Sequence, residues 1–263
     1  MRKLVDILVN TKNWVREVGE IQKRKIRETD LKIDTKSSGI DLVTEVDKLS
    51  EKILVEKIEE NYPVHSILGE ENGTVDKKSN YTWIIDPVDG TNNYSNGYPL
   101  YSISIALRFK DDIVLGVIYI PELEEMYTAL KGEGAFLNGK EIRVAAEEDP
   151  VNCLLATGFP YDKITSRINN LAHFSYMQMQ ARGIRRSGSA AFDLASVAAG
   201  RINGFWEFKL EEWDVAAGRI LIKEVGGRVI ETTRHDSYLI VAGNSVLCEK
   251  ILKLLDRVDP DRY

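Results

Sequence analysis

Residues 83 to 90 read WIIDPVDG, and Thr91 follows. Three large apolar side chains run directly into two aspartates separated by Pro-Val. A short apolar run ending at a proline reads as a buried strand, and carboxylates at the end of a buried strand are costly unless positive charge compensates them. Pro87 fixes the backbone and removes a donor, so that Val88 turns its carbonyl rather than its side chain toward the same place. Two carboxylates and a carbonyl close together form the oxygen-rich donor set that hard cations prefer. Gly90-Thr91 then opens a helical turn, GTNNY, whose free backbone donors suit an anion such as phosphate. The competing reading is a plain Asp turn that caps a short helix.

Two further acid clusters lie to either side. HSILGEE ends in Gly69-Glu70-Glu71, and Trp213-Asp214-Val215-Ala216-Ala217-Gly218 opens an apolar helix. If the strand ending at Glu70 neighbours the strand ending at Asp86, the two acids are side by side. Asp214 at the start of a helix is favoured by the dipole, and on its own reads as an N-cap. Carboxylates gathered from such segment ends repel one another unless divalent ions bridge them, and two ions about 4 Å apart make a two-metal site for in-line phosphoryl chemistry.

The rest of the chain frames these clusters. Residues 3 to 27 carry a helical apolar stripe, residues 31 to 34 alternate like a short strand, and Lys36–Gly39 is turn chemistry. Val46, Leu49, Ile53, Leu54 and Ile58 form a second helical stripe, with Thr44 as its N-cap and Asp47 three residues on. Between residues 65 and 148 the pattern is strands and hairpins, with Asn138-Gly139 a type I′ signal. Beyond residue 148 strands and helices alternate: strands at 153–157, 202–208, 228–231 and 238–242, and helices at 165–180, 189–199, 214–225 and 245–256. The expectation is one domain over residues 1–263, with sub-lobes of about 1–148 and 149–263.

Composition bounds the function. Of 263 residues, 43% are hydrophobic and 29% charged, enough for a core under a soluble surface. A net charge of -6 argues against nucleic acid as the main partner. No run approaches a membrane span, the N-terminal stretch lacks a secretory h-region, and Cys153 and Cys248 sit in apolar contexts, so a cytoplasmic protein with buried thiols is expected. Gly134 to Lys140 matches GxxxxGK, but Glu141 stands where a P-loop needs Ser or Thr. There is no HExxH and no GxSxG, and Asn72-Gly-Thr is a sequon without meaning in a cytoplasmic chain. Arg182, Arg185 and Arg186 read as a solvated or subunit-contact patch.

GEE, WIIDPVDGT and WDVAAG, in this order and at these separations, together with DLVTEVD, GEGAFLNGKEI and GSAAFDLASVAAGRINGFWE, resemble the inositol monophosphatase family over residues 35 to 245. The resemblance implies a layered αβαβα sandwich, usually a homodimer. It implies a magnesium-dependent, lithium-sensitive phosphatase that uses metal-activated water and two or three Mg2+ ions per site. Carried over by position, Glu70 and Asp86 share the ion that activates water, while Asp89 and Asp214 hold a second ion near the leaving oxygen, and the Val88 carbonyl completes the ligand set. Thr91 positions the water, and Asp47 accepts from Thr91, so its capping role competes with a catalytic one and the resemblance favours the latter. Gly90 and Thr91, beside Val88, Asp89 and Asp214, cradle phosphate, and Gly188, Ser189, Ala190 and Glu207 match positions that contact a hydroxyl-bearing ring.

The substrate implied is a small phosphorylated polyol or sugar, with inositol 1-phosphate first and fructose 1,6-bisphosphate the alternative. Asn92-Asn93-Tyr94 departs from the family's more usual Thr-Asn-Phe. The Lys-Glu found after the Thr in nucleotide 3′-phosphate branches is missing, which argues against 3′-phosphoadenosine 5′-phosphate. The loop at Asp34–Asp41 is expected to tune substrate choice. A regulatory binding role and a passive calcium module are the non-catalytic alternatives.

Overall fold

Strand β5, Tyr81–Asp89, carries the WIIDPVD stretch through the middle of the molecule. The computed structural model describes residues 2–27, 33–35, 42–234 and 236–259. The turn expected at Lys36–Gly39, and residues 36–41 of the loop expected to tune substrate choice, lie outside the described residues, as do residues 31 and 32. In chain order the elements are α1 (Arg2–Lys25), β1 (Ile33–Thr35), β2 (Leu42–Thr44), α2 (Glu45–Asn61), β3 (Ser66–Gly69), β4 (Gly73–Val75), β5, α3 (Thr91–Ser95), β6 (Ser102–Phe109), β7 (Asp112–Ile120), β8 (Glu125–Leu130), β9 (Ala135–Leu137) and β10 (Lys140–Glu141). There follow β11 (Leu154–Thr157), α4 (Leu171–Gln178), β12 (Gly183–Arg185), α5 (Ala190–Ala198), β13 (Gly204–Phe208), α6 (Glu212–Glu224), β14 (Arg228–Arg234), β15 (Ser237–Gly243) and α7 (Ser245–Leu255).

Among the described residues the strands form a ribbon of β1 and β2, an eight-stranded sheet in the order β10-β9-β8-β7-β6-β5-β3-β4, and a five-stranded sheet in the order β12-β11-β13-β15-β14. Side chains alternate across a strand, and β5 uses both of its faces. Trp83 and Ile85 pack with Val15 and Val18 of α1 and Leu54 and Ile58 of α2. Ile84 points the other way, into a cluster with Leu194 of α5, Leu221 of α6, and Phe205 and Ile240 of the smaller sheet. The far face of that sheet, through Leu155, Trp206 and Val241, packs on Leu247 and Ile251 of α7 and Met177 near the end of α4. The layers therefore run helix, sheet, helix, sheet, helix, as the fold expectation has it. Burial on both faces explains why WII is an unbroken apolar run rather than an alternating one. Cys153 and Cys248 are buried and free.

Local signals account for most boundaries. Thr44 caps α2 and completes a capping box with Asp47. Asn138 and Gly139 take φ of 49° and 79°, as a two-residue I′ hairpin requires. Two helices differ from expectation. The helix expected at 165–180 begins only at Leu171, because Asn170 adopts a left-handed φ of 68° and spends its side chain on buried partners. Helix α6 starts at Glu212 with Glu211 as its N-cap, so Asp214 is the third residue of the first turn rather than the cap itself.

Candidate active site

Asp86 and Asp89 are three residues apart, and in an unbroken strand they would face opposite sides of the sheet. The pairing of β5 with β6 shows why they do not. Asp86 stands opposite Ser104 and Asp89 opposite Ser102, so β5 spends three steps where β6 spends two. Pro87-Val88 is a β-bulge, one of the few places inside a sheet where proline is tolerated. The extra residue swings Asp89 back to the face that Asp86 and Ile84 share, toward α5 and α6. The bulged carbonyl of Pro87 is not stranded: buried Gln22 of α1 donates to it from Nε2 at 2.8 Å.

The neighbouring acids arrive by register. Strand β3 runs parallel to β5 with Gly69 opposite Ile85, and the Glu70 N–H donates to Ile85 O at 3.2 Å. Glu70 is therefore beside Asp86. Asp214 comes from the first turn of α6, where its carboxylate accepts from the Glu211 N–H at 2.7 Å. Glu70, Asp86, Asp89 and Asp214 line one pocket of about 420 Å³, together with Val88, Gly90, Thr91, Gly188, Ser189, Ala190 and Glu207. The sequence-predicted residues thus come together, with Asp47 one hydrogen bond behind Thr91.

Electrostatics follow from this crowding. Burial first, then the charges of Glu70, Asp89 and Asp214, push the Asp86 carboxyl well above the usual carboxylate range. Asp214 is raised for the same reasons, burial foremost and Asp89 next. Asp89 is pushed up to about 6 by burial, held back by donors that favour its charged form. Those donors are Ser189 Oγ at 2.5 Å and the N–H groups of Ala191 and Ala190 at 2.7 and 3.2 Å, the first turn of α5. Such a cluster favours protons or cations. Its donors are all oxygens, a set that fits a hard divalent ion. Among the described residues no three acidic, imidazole or thiol side chains are already gathered into a metal-holding group. Two of the acids are otherwise engaged: Asp89 spends its oxygens on the start of α5, and Asp214 accepts from the N–H of Glu211, the N-cap of α6.

Asp47 faces both the cap of α2 and Thr91. Asp47 divides its two oxygens: Oδ2 accepts from the N–H of Thr44 at 2.9 Å and from its hydroxyl, while Oδ1 accepts from Thr91 Oγ1 at 2.8 Å. One oxygen serves the cap of α2 and the other meets Thr91. Burial raises the Asp47 carboxyl, and the Thr44 and Thr91 donors oppose the shift. Val88 buries its side chain with Val46, Tyr94 and Tyr101, and its carbonyl lies 3.2 Å from Thr91 Oγ1. Gly90 has φ 98°, and a Cβ there would come within 3.1 Å of Gly188 O, so the turn that presents Thr91 requires glycine.

At the other end Glu207 is buried with its carboxylate pressed against Gly158, where a Cβ would meet Oε1 at 2.0 Å. Burial, Asp214 and Asp193 raise it well above the usual range, with Arg186 opposing. Asp193, Arg186, Tyr161, Lys209 and Trp213 also line the pocket and were not assigned from sequence. Arg186 is exposed, as expected of a solvated arginine, and borders the pocket as well. Asp193 had a usable signal, an acid inside the apolar run AAFDLASVAA. Tyr161 and Lys209 had none, since only tertiary packing brings their loops to the site.

The inositol monophosphatase family model matches residues 4–259. The chain is 40% identical to the Nus factor SuhB of Pseudomonas aeruginosa over 90% of its own length and 91% of that protein. It is 39% identical to an inositol-1-monophosphatase of Mesorhizobium japonicum, over 92% of this chain and 90% of that one. The crystal structure of the extragenic suppressor protein suhB from Bartonella henselae superposes with a TM-score of 0.89 at 34% identity, covering 96% of this chain and 99% of that one. The fold and the site define a sugar-phosphatase type of sandwich with an acidic pocket at the strand ends. The chain belongs to the inositol monophosphatase family. No helix among the described residues is long and apolar enough to cross a membrane.

Proposed function

We propose that this protein is a magnesium-dependent phosphatase of small phosphate monoesters, with inositol 1-phosphate as its first substrate. The observation that carries the reading is the Thr91–Asp47 hydrogen bond at the edge of a pocket lined by Glu70, Asp86, Asp89 and Asp214. Magnesium held by Glu70, Asp86, the Val88 carbonyl, Asp89 and Asp214 would lower the pKa of water and offset charge on the phosphoryl oxygens.

The protein's own groups supply positioning and proton transfer. The Thr91 hydroxyl has one proton, and the nearer, charged Asp47 Oδ1 takes it in preference to Val88 O. The lone pairs of Oγ1 then orient a water for attack on phosphorus. As the new P–O bond forms, the water's proton passes to Thr91 Oγ1 and Thr91's own proton moves to Asp47 Oδ1. The ester P–O bond breaks, its electron pair leaves with the polyol oxygen, that oxygen takes a proton from a solvent water, and Asp47 returns its proton to the solvent. Backbone N–H groups at Gly90 and Thr91 hold the phosphoryl group, and Glu207 with residues 188–190 accepts hydroxyl groups of the polyol. Burial of Asp47 suits it to accept a proton.

A substrate panel with magnesium tests this: turnover of inositol 1-phosphate above that of fructose 1,6-bisphosphate is expected, and a large preference for the bisphosphate would reverse the assignment. Some relatives carry the name Nus factor, which favours a regulatory role alongside catalysis. Absence of magnesium-dependent turnover on any monoester would leave that role alone standing. The assembly proposed is a homodimer, checked by sedimentation.

A further inference from the structure

Residues 158–170 leave β11, cross one side of the pocket and enter α4, and Gly158 to Asp162 line the pocket wall. This crossing is clamped at both ends. At the inner end Asn170, 1% exposed, donates from Nδ2 to Gly158 O at 2.6 Å and to Thr157 Oγ1 at 2.9 Å, and accepts from Trp206 Nε1 at 3.0 Å. At the outer end Lys209, just past the strand that carries Glu207, reaches Asp162 Oδ2 and Ser166 Oγ, both at 2.6 Å.

Tyr161 lies between the clamps. It is 49% exposed, yet it lines the same pocket as the acid quartet. Burial, and then Glu70, Asp89, Asp214 and Asp86, hold its phenol protonated far above the ordinary range. The wall from Gly158 to Asp162 and the acid quartet border one cavity, so the phenol and the quartet face the same bound group.

We propose that Tyr161 is a substrate-contacting residue whose hydroxyl donates a hydrogen bond to a phosphoryl oxygen, and that the crossing segment holds it there. The proposal rests on the phosphatase reading above. A cationic donor in this place would be drawn onto Glu70 and its neighbours. A phenol donates to an anionic oxygen without neutralising them, and it has few rotamers to lose. Lys209, the nearby cation, is already committed to Asp162 and Ser166, which makes it a positioning residue.

Calorimetric titration of inorganic phosphate into the full chain with magnesium tests this without relying on turnover. Tyr161→Phe, which keeps the ring, is expected to bind phosphate about tenfold more weakly, the lower end for a hydrogen bond to a charged group. Lys209→Met is expected to lose part of that affinity, and the double variant to bind no more weakly than Tyr161→Phe alone. Unchanged phosphate affinity in Tyr161→Phe overturns the proposal, as does a wild-type chain that binds no phosphate. A raised KM for inositol 1-phosphate with unchanged phosphate affinity also overturns it and moves the contact to the polyol. Failure of every ester to turn over, with the tenfold loss of phosphate affinity intact, refutes the hydrolytic reading and leaves the Tyr161 contact in place.

Discussion

Removing magnesium should make this protein's stability fall as pH rises, and the acid quartet sets the size of the effect. Asp89 has its carboxyl raised from 3.8 to about 6. A raised folded-state pKa means that the folded chain holds this proton more tightly than the unfolded chain. Its stabilising contribution is full below about pH 4 and is lost as pH climbs through about 6. Roughly two pKa units at about 1.4 kcal/mol each amount to about 3 kcal/mol, with about half of the loss falling above about pH 5. Asp86 and Asp214 are raised in the same direction, so the decline continues at higher pH. In a chain of this size 1 kcal/mol moves Tm by about 2 °C, so Asp89 alone lowers Tm by about 3 °C between about pH 5 and pH 7.5 in chelator. Magnesium at about a hundred times its Kd should restore about 2.7 kcal/mol, or about 5 °C, at the higher pH and little at the lower, where protons compete. Scanning calorimetry at both pH values, with chelator and with magnesium, measures all four quantities. Asp86→Asn in chelator should flatten the decline by removing one charge from the cluster. Equal stability at both pH values together with an equal magnesium shift at both would refute the premise that these acids are a repelling cluster poised for cations.

Other perturbations address single links in the site. Asp86→Asn and Asp214→Asn should each lower kcat by several orders of magnitude while circular dichroism stays native, since both supply charge to the proposed ion site. Gly158→Ala places a Cβ 2.0 Å from Glu207 Oε1, so it should raise KM for polyol phosphates and cost about 1–3 kcal/mol in urea unfolding. Gln22→Leu strips the bulged Pro87 carbonyl of its donor, and a loss of about 1–3 kcal/mol accompanied by reduced turnover is expected, although Gln22 lies outside the pocket.

Much of the architecture is legible along the chain because it rests on short-range chemistry. The stripe from Val46 to Ile58 with Thr44 and Asp47 at its head specifies α2 and its cap, and Asn138-Gly139 specifies a hairpin wherever it falls. The helix at residues 165–180 was legible only in part. Asn170 reads as an ordinary polar residue until Thr157, Gly158 and Trp206 are packed around it, and its buried hydrogen bonds then override the helical pattern before Leu171. Arg186 is surface charge as its sequence reads, and only the fold shows that this exposed side chain also borders the pocket with Glu207 and Asp193.

The acid clusters, their order and the glycine after Asp89 are properties of the chain alone, and they suffice to indicate an oxygen-rich site at strand ends. Their convergence is not. Asp86 and Asp89, read by alternation, face opposite sides of β5, and no local propensity says otherwise. The bulge at Pro87-Val88 adds the odd residue that brings them to one face, and it exists because Gln22, far away in the chain on α1, satisfies the carbonyl it exposes. Parity along a strand is local, but the hydrogen-bond partner that makes breaking it tolerable arrives only when the layers pack.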